Sequence, residues 1–252
     1  MLWYKAWRES RARFLLLVLF TLGFCLYWII VWRANVRGNL ARGHPTLVTM
    51  AYGAVFPVQR LAIAYLVVLV PLLTMGGLLR ERGRGTAGLS LSIPTSRARH
   101  MSTRAAVGVV EMIVLAALPA VLLPAFLPLV KEAHPVPVAL HFILLWIVCG
   151  APIFALGCLC STAFAGEYTS LIASMMGVLV YVFFTSPPFF RPYSPRFSLF
   201  RVMMGMSVED LPFNRRLNGL PEPFPSMTLF TIVVVALVLF AISVQVTRRR
   251  DF

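Results

Sequence analysis

LRERGRGTAGLSLSIPTSRARHMSTR, residues 79–104, carries six arginines against one glutamate and sits between two long apolar runs. Its glycines and its proline break it into short pieces, while the sequence on either side is greasy enough to avoid water. A basic, punctuated interruption of this kind is a polar loop joining two buried helices. The rest of the chain fits around that reading.

Apolar residues make up 59% of the 252, and charged residues 13%. Soluble domains run at about 45–50% apolar and about 25% charged. The composition therefore predicts an all-α, polytopic membrane protein. The net charge of +14 does not point to nucleic acid, because basic residues flanking membrane spans meet anionic headgroups and set topology. Cys25, Cys149, Cys158 and Cys160 all fall in apolar runs, without zinc-like spacing to histidine. They read as small hydrophobes rather than disulfides or ligands.

Six apolar segments cover residues 14–32, 61–79, 105–130, 138–164, 168–186 and 228–246. Each approaches or exceeds the roughly 20 residues that a helix needs to cross some 30 Å of hydrocarbon. Pro119, Pro124 and Pro128 predict a kink or break at the far end of the third. Only Ala165, Gly166 and Glu167 separate the fourth from the fifth, which predicts a tight helical hairpin with Glu167 capping or contacting at the turn. Trp28, Trp32, Trp146 and Tyr168 lie near segment ends, as an interfacial aromatic belt requires. Gly150 and Ala151 with Ala155, and Ala173 with Gly177, have the small-residue spacing that allows close helix approach, within the chain or between copies.

Residues 1–13, MLWYKAWRESRAR, form an amphipathic helix if helical. Trp3, Trp7 and Phe14 share one face, and Lys5, Arg8, Glu9 and Arg13 take the others. That pattern predicts an interfacial helix lying on the membrane before the first span. With the amino terminus inside, thirteen of the 23 Lys and Arg fall on the inner side. Five of the other ten sit in the loop at 187–225, much of it far from span ends, where charge has little weight on topology. The expected arrangement is a multi-pass protein of the inner (plasma) membrane with both termini cytoplasmic. The outer loop at 187–225 is rich in proline and aromatics, and predicts only a short helix, over 197–208, resting on the membrane.

Catalytic constellations are absent from the sequence. The histidines at 44, 100, 134 and 141 are scattered and form no HExxH pair, the zinc-protease signature. No Gly-x-Ser-x-Gly elbow occurs, and the two aspartates, Asp210 and Asp251, are far apart. Gly83-x-x-x-x-Gly88-Leu89-Ser90 has the glycine spacing of a P-loop, but Leu89 stands where the phosphate-binding lysine must be. Intramembrane charge is sparse. Glu111 lies about two turns into the third segment, at i+7 from Arg104 and so on nearly the same face. A carboxylate at that depth is either a functional group or a structural one held against another helix or an interfacial arginine.

Within the opening stretch, Gly83 and Gly85 allow a sharp turn, and Thr86 can cap a short helix carrying Leu89, Leu91 and Ile93 that ends at Pro94. Thr95 or Ser96 then caps a second helix carrying Arg97, Arg99, His100 and Arg104 into the third span. These residues suit a protein-docking element; they equally suit a positively charged topology signal with no partner.

Glu81, Gly85-Thr86, Leu89 with Leu91, and Pro94-Thr95-Ser96-Arg97 resemble the cytoplasmic loop of the type-2 ABC exporter permeases. In that family a charged Glu, a Gly-Thr pair and a leucine-rich turn precede Pro-x-Ser-Arg at the third span. The amphipathic start, the six spans, the long last outer loop and the basic tail at Arg249-Arg250 fit the same plan. Ala87-Gly88 stand where the family has a second acidic residue. The resemblance implies a single permease domain, residues 1–252, with an ATPase-coupling loop at 80–104. Glu81, Gly85, Thr86, Leu89, Leu91, Pro94, Ser96 and Arg97 would meet separate ABC ATPase subunits. It also implies a second permease subunit, identical or related, and no cofactor in this chain, with ATP and Mg²⁺ held by the partner. Export of an amphipathic, lipid-like or drug-like compound is the expected activity. A secondary transporter or channel is the alternative, and a membrane-embedded enzyme is a weaker one.

Overall fold

A computed structural model of the chain describes residues 2–41, 61–75, 96–126, 136–164, 166–185, 198–203 and 226–249. Among these residues every regular element is helical. They are α1 (Leu2–Ala41), α2 (Leu61–Leu73), α3 (Arg97–Phe126), α4 (Val136–Ala163), α5 (Glu167–Thr185), α6 (Leu199–Met203) and α7 (Ser226–Arg249). Long stretches within α1, α3, α4, α5 and α7 are long and apolar enough to cross a membrane, the mark of a multi-pass membrane protein. α2 is shorter and stands where the second span is expected, with residues 76–79 of that span outside the described residues.

α4 is the hub, packing against α2, α3, α5, α6 and α7, while α1 lies against α3 and α2. The core is aliphatic and aromatic, with Leu61, Tyr65, Leu66, Met112, Leu115 and Leu145 among its fully buried members. Outward faces stay apolar, for instance Leu19, Phe183, Phe230 and Leu237, as hydrocarbon surroundings demand. Hydroxyls inside the helices bond backward along their own turns, Thr21 to the Leu17 carbonyl at 2.8 Å and Thr247 to that of Ser243 at 2.9 Å. These two hydroxyls are thereby satisfied without water. The four cysteines are buried free thiols.

Small residues set the approach of α2 to α4. A Cβ added at Gly150 would lie 2.9 Å from the Tyr65 hydroxyl, and one at Gly157 would lie 2.3 Å from Thr74 Oγ1. Gly150 of the predicted small-residue pattern therefore serves packing within the chain. Gly177 does so more loosely, 3.4 Å from Leu156. The Tyr65 ring packs at a tilt against Trp146, centroids 5.1 Å apart, and its hydroxyl donates to the Met112 carbonyl at 3.5 Å. Trp146 is buried and thus a core residue, and its expected place in an interfacial belt is corrected: its ring lies against Tyr65, which fills the space that Gly150, one turn on, leaves open. Tyr168 is exposed, and the side chains of Trp28 and Trp32 fall outside the described residues. Around Tyr65–Leu69, α2 widens into one π-helical turn closed by Val70 N–H to the Tyr65 carbonyl. Pro71 follows, unable to donate and crowding the carbonyl four residues back, which favours the wider turn.

Three further expectations meet the structure. α3 runs unbroken past Pro119 and Pro124 to Phe126, so these prolines do not break it; each removes a single hydrogen bond while its neighbours persist. Pro128 lies outside the described residues. The hairpin is as tight as expected, with α4 ending at Ala163 and Ser170 N–H bonding the Gly166 carbonyl at 3.0 Å. Of the short helix predicted at 197–208, residues 199–203 form α6, which packs on the bundle, and 204–208 lie outside the described residues. Val202 and Met203 are buried, and Leu199 N–H donates to the Tyr181 hydroxyl at 3.1 Å.

Candidate functional site: a charged junction of three helices

The first turns of α1, the end of α2 and the first turns of α3 meet at one end of the bundle. α7 ends there too, Thr247 donating to Met101 Sδ of α3 at 3.4 Å. α1 begins its helix at Leu2 and continues to Ala41 without interruption, because no proline or glycine intervenes until Gly23. Residues 1–13 are therefore not a separate element beyond Met1: from Leu2 onward they are the first turns of a helix that continues as the first span.

α2 ends at Leu73, and a turn leads to Met75, whose N–H closes on the Leu72 carbonyl at 3.3 Å. The Met75 carbonyl lies just past the carboxyl end of α2, beside the negative end of the helix dipole. Two guanidinium groups satisfy it. Arg104 Nη2 donates to it at 3.1 Å, and Arg13 Nη1 donates to it from α1. Glu9 holds the two arginines from the other side. Its Oε2 lies 3.4 Å from Arg104 Nη1, its carbonyl accepts from Arg13 Nη2 at 3.5 Å, and Lys5 adds a looser contact at 3.9 Å.

Glu111 lies deeper. It is 1% exposed, and its Oε1 accepts a hydrogen bond from Ser10 Oγ of α1. Arg13 and Arg104 are its charged neighbours. Oε2 is buried and has no hydrogen-bond partner among the described residues. A buried carboxylate needs compensating donors and cations, and here they come from α1 and from its own helix. Glu9, Arg13, Arg104 and Glu111 balance in charge. The junction can clamp three helices and change state when one charge is removed; no metal-ligating group of three occurs among the described residues.

The residues singled out in the sequence distribute as follows. Ser96 caps α3, its Oγ accepting from Arg99 N–H at 3.2 Å. Arg97 is the first residue of α3. Glu81, Gly85, Thr86, Leu89, Leu91 and Pro94 lie outside the described residues, as do most of 187–225. Glu111 and Arg104 do share a face and a site, and Ser10, Arg13, Glu9 and the Met75 carbonyl join them. Sequence reasoning missed these last four. The available signal was Glu9, the lone acid among the basic residues of 1–13, four residues before Arg13.

Comparison with known proteins finds no matching family model and no matching curated sequence.

Proposed function

We propose that the chain is the transmembrane permease subunit of an ATP-driven exporter, working with separate ATPase subunits and a second permease. The reading takes six spans, an inward amino terminus and the 80–104 segment as the coupling loop. One observation carries it: α3 is a single rigid rod from its Ser96 cap through Arg104 to Glu111. From cap to Glu111 that is about 22 Å at 1.5 Å per residue. A push delivered to the segment before Ser96 travels along α3 and, through the junction, reaches α1 and α2 together. Movement of the three helices against the α4 hub would open a path between two permease copies, and phosphoryl transfer stays on the partner. An amphipathic or lipid-like cargo suits spans with largely aliphatic and aromatic faces.

The test is substitution at the start of the rod. Pro94→Ala or Arg97→Ala lowers export while membrane insertion and abundance stay normal; loss of abundance instead would reduce the segment to a topology signal. A second reading, ion-coupled secondary transport, draws on the buried Glu111 and its unpartnered oxygen. Transport that follows an ion gradient without ATP hydrolysis separates it from the first.

A further inference from the structure

The cations of the first α1 turns divide by face. Arg13 and Lys5 turn to partners within the bundle, together with Glu9 and Ser10. Arg8 and Arg11 are exposed on the other side and make no hydrogen bond or ion pair with any described residue. At 100° per residue Tyr4, Arg8, Arg11, Leu15 and Leu19 fall in one stripe along α1. Tyr4 is 68% exposed, Trp7 beside it 42%, and Leu15 and Leu19 are both open. The stripe thus reads, from the amino terminus, aromatic, then guanidinium, then aliphatic. Arg11 precedes Leu15 by about 6 Å of helix rise, so the cations sit one turn from a surface suited to hydrocarbon.

We propose that Arg8 and Arg11, framed by Tyr4 and Trp7, bind the phosphate of an anionic phospholipid whose chains lie along Leu15 and Leu19. Guanidinium groups match phosphate in charge and geometry. Tyr and Trp favour the headgroup level, where a ring has one wet and one apolar side. The order of the three zones follows the order of a lipid from interface to tail, which a free phosphate or a soluble acidic partner has no use for. The site depends on α1 crossing a bilayer and is independent of the exporter reading.

The experiment counts phosphatidylglycerol retained by the full chain, with its accompanying subunits, on release from mixed phosphatidylcholine–phosphatidylglycerol nanodiscs into native mass spectrometry. A basic residue near an anionic surface contributes about fivefold in affinity. Arg8→Gln/Arg11→Gln is expected to cut retention by about tenfold or more. Arg248→Gln/Arg249→Gln removes the same charge from the exposed last turn of α7 and should leave retention near that of the parent. Brominated phosphatidylglycerol should quench tryptophan fluorescence less in Trp7→Phe than in the parent. Equal losses in the two arginine pairs, displacement of the lipid by inorganic phosphate, or cross-linking of an Arg11→Cys variant to a second copy would each overturn the site.

Discussion

Beside Tyr65 the bundle is held by shape, and at Met75, just past the end of the same helix, it is held by charge. In the first region Gly150 and Gly157 let α2 sink against α4, with Tyr65 on Trp146 filling the gap. In the second, two arginines and two glutamates span the distance around one carbonyl. Contacts made by shape fail when volume is added. Contacts made by charge fail when a partner is removed, and they can be remade, which suits a moving part.

Adding volume to the dry region should have the largest effect. Gly157→Leu forces a side chain into Thr74 and is expected to cost about 3 kcal/mol or more, read as early loss of folded protein on heating in detergent. The same change at Gly23, where nothing lies within 4 Å, should be neutral or slightly stabilising. Equal damage at both glycines would break the contrast. Next comes the junction. Glu111→Ala leaves Ser10 without its acceptor and two guanidinium groups short of a counter-charge, an expected loss of about 2–3 kcal/mol. Glu111→Gln keeps the acceptor and should lose about half as much. Arg104→Glu should be rescued in part by Glu9→Arg, an exchange that no packing-only account of the junction predicts.

Ser96→Ala removes the α3 cap at a cost of about 1 kcal/mol, and its export defect should exceed its stability defect if α3 is the transmitting rod. Lys5→Gln, at a partly exposed 3.9 Å contact, should change stability by less than about 0.5 kcal/mol. A larger change would bring Lys5 inside the clamp.

The two regions also differ in how far the sequence reveals them. Hydropathy over about 20 residues marks spans directly, so α3, α4, α5 and α7 stand close to their expected places, and the cap before the arginine-rich helix is narrowed to Thr95 or Ser96, of which the structure uses Ser96. The partner of Glu111 is not visible. Ser10 lies on another helix, 101 residues away, and no periodicity within one element encodes which neighbour it faces. Trp146 misleads for a related reason: tryptophan favours interfaces in general, and only the space left by Gly150 and filled with Tyr65 makes this one a core residue. The continuity of α1 is likewise hidden, because an amphipathic start and an apolar sequel look like two elements until Ser10 and Arg13 are seen docked on α3 and α2.

The exporter reading stands or falls most directly on the partner. Purification of the chain from its native membrane in mild detergent should bring with it a subunit that carries a P-loop and hydrolyses ATP. Arg97→Ala should weaken that association without lowering the amount of chain recovered. Full transport turnover by the chain alone, reconstituted without any ATPase, would contradict it.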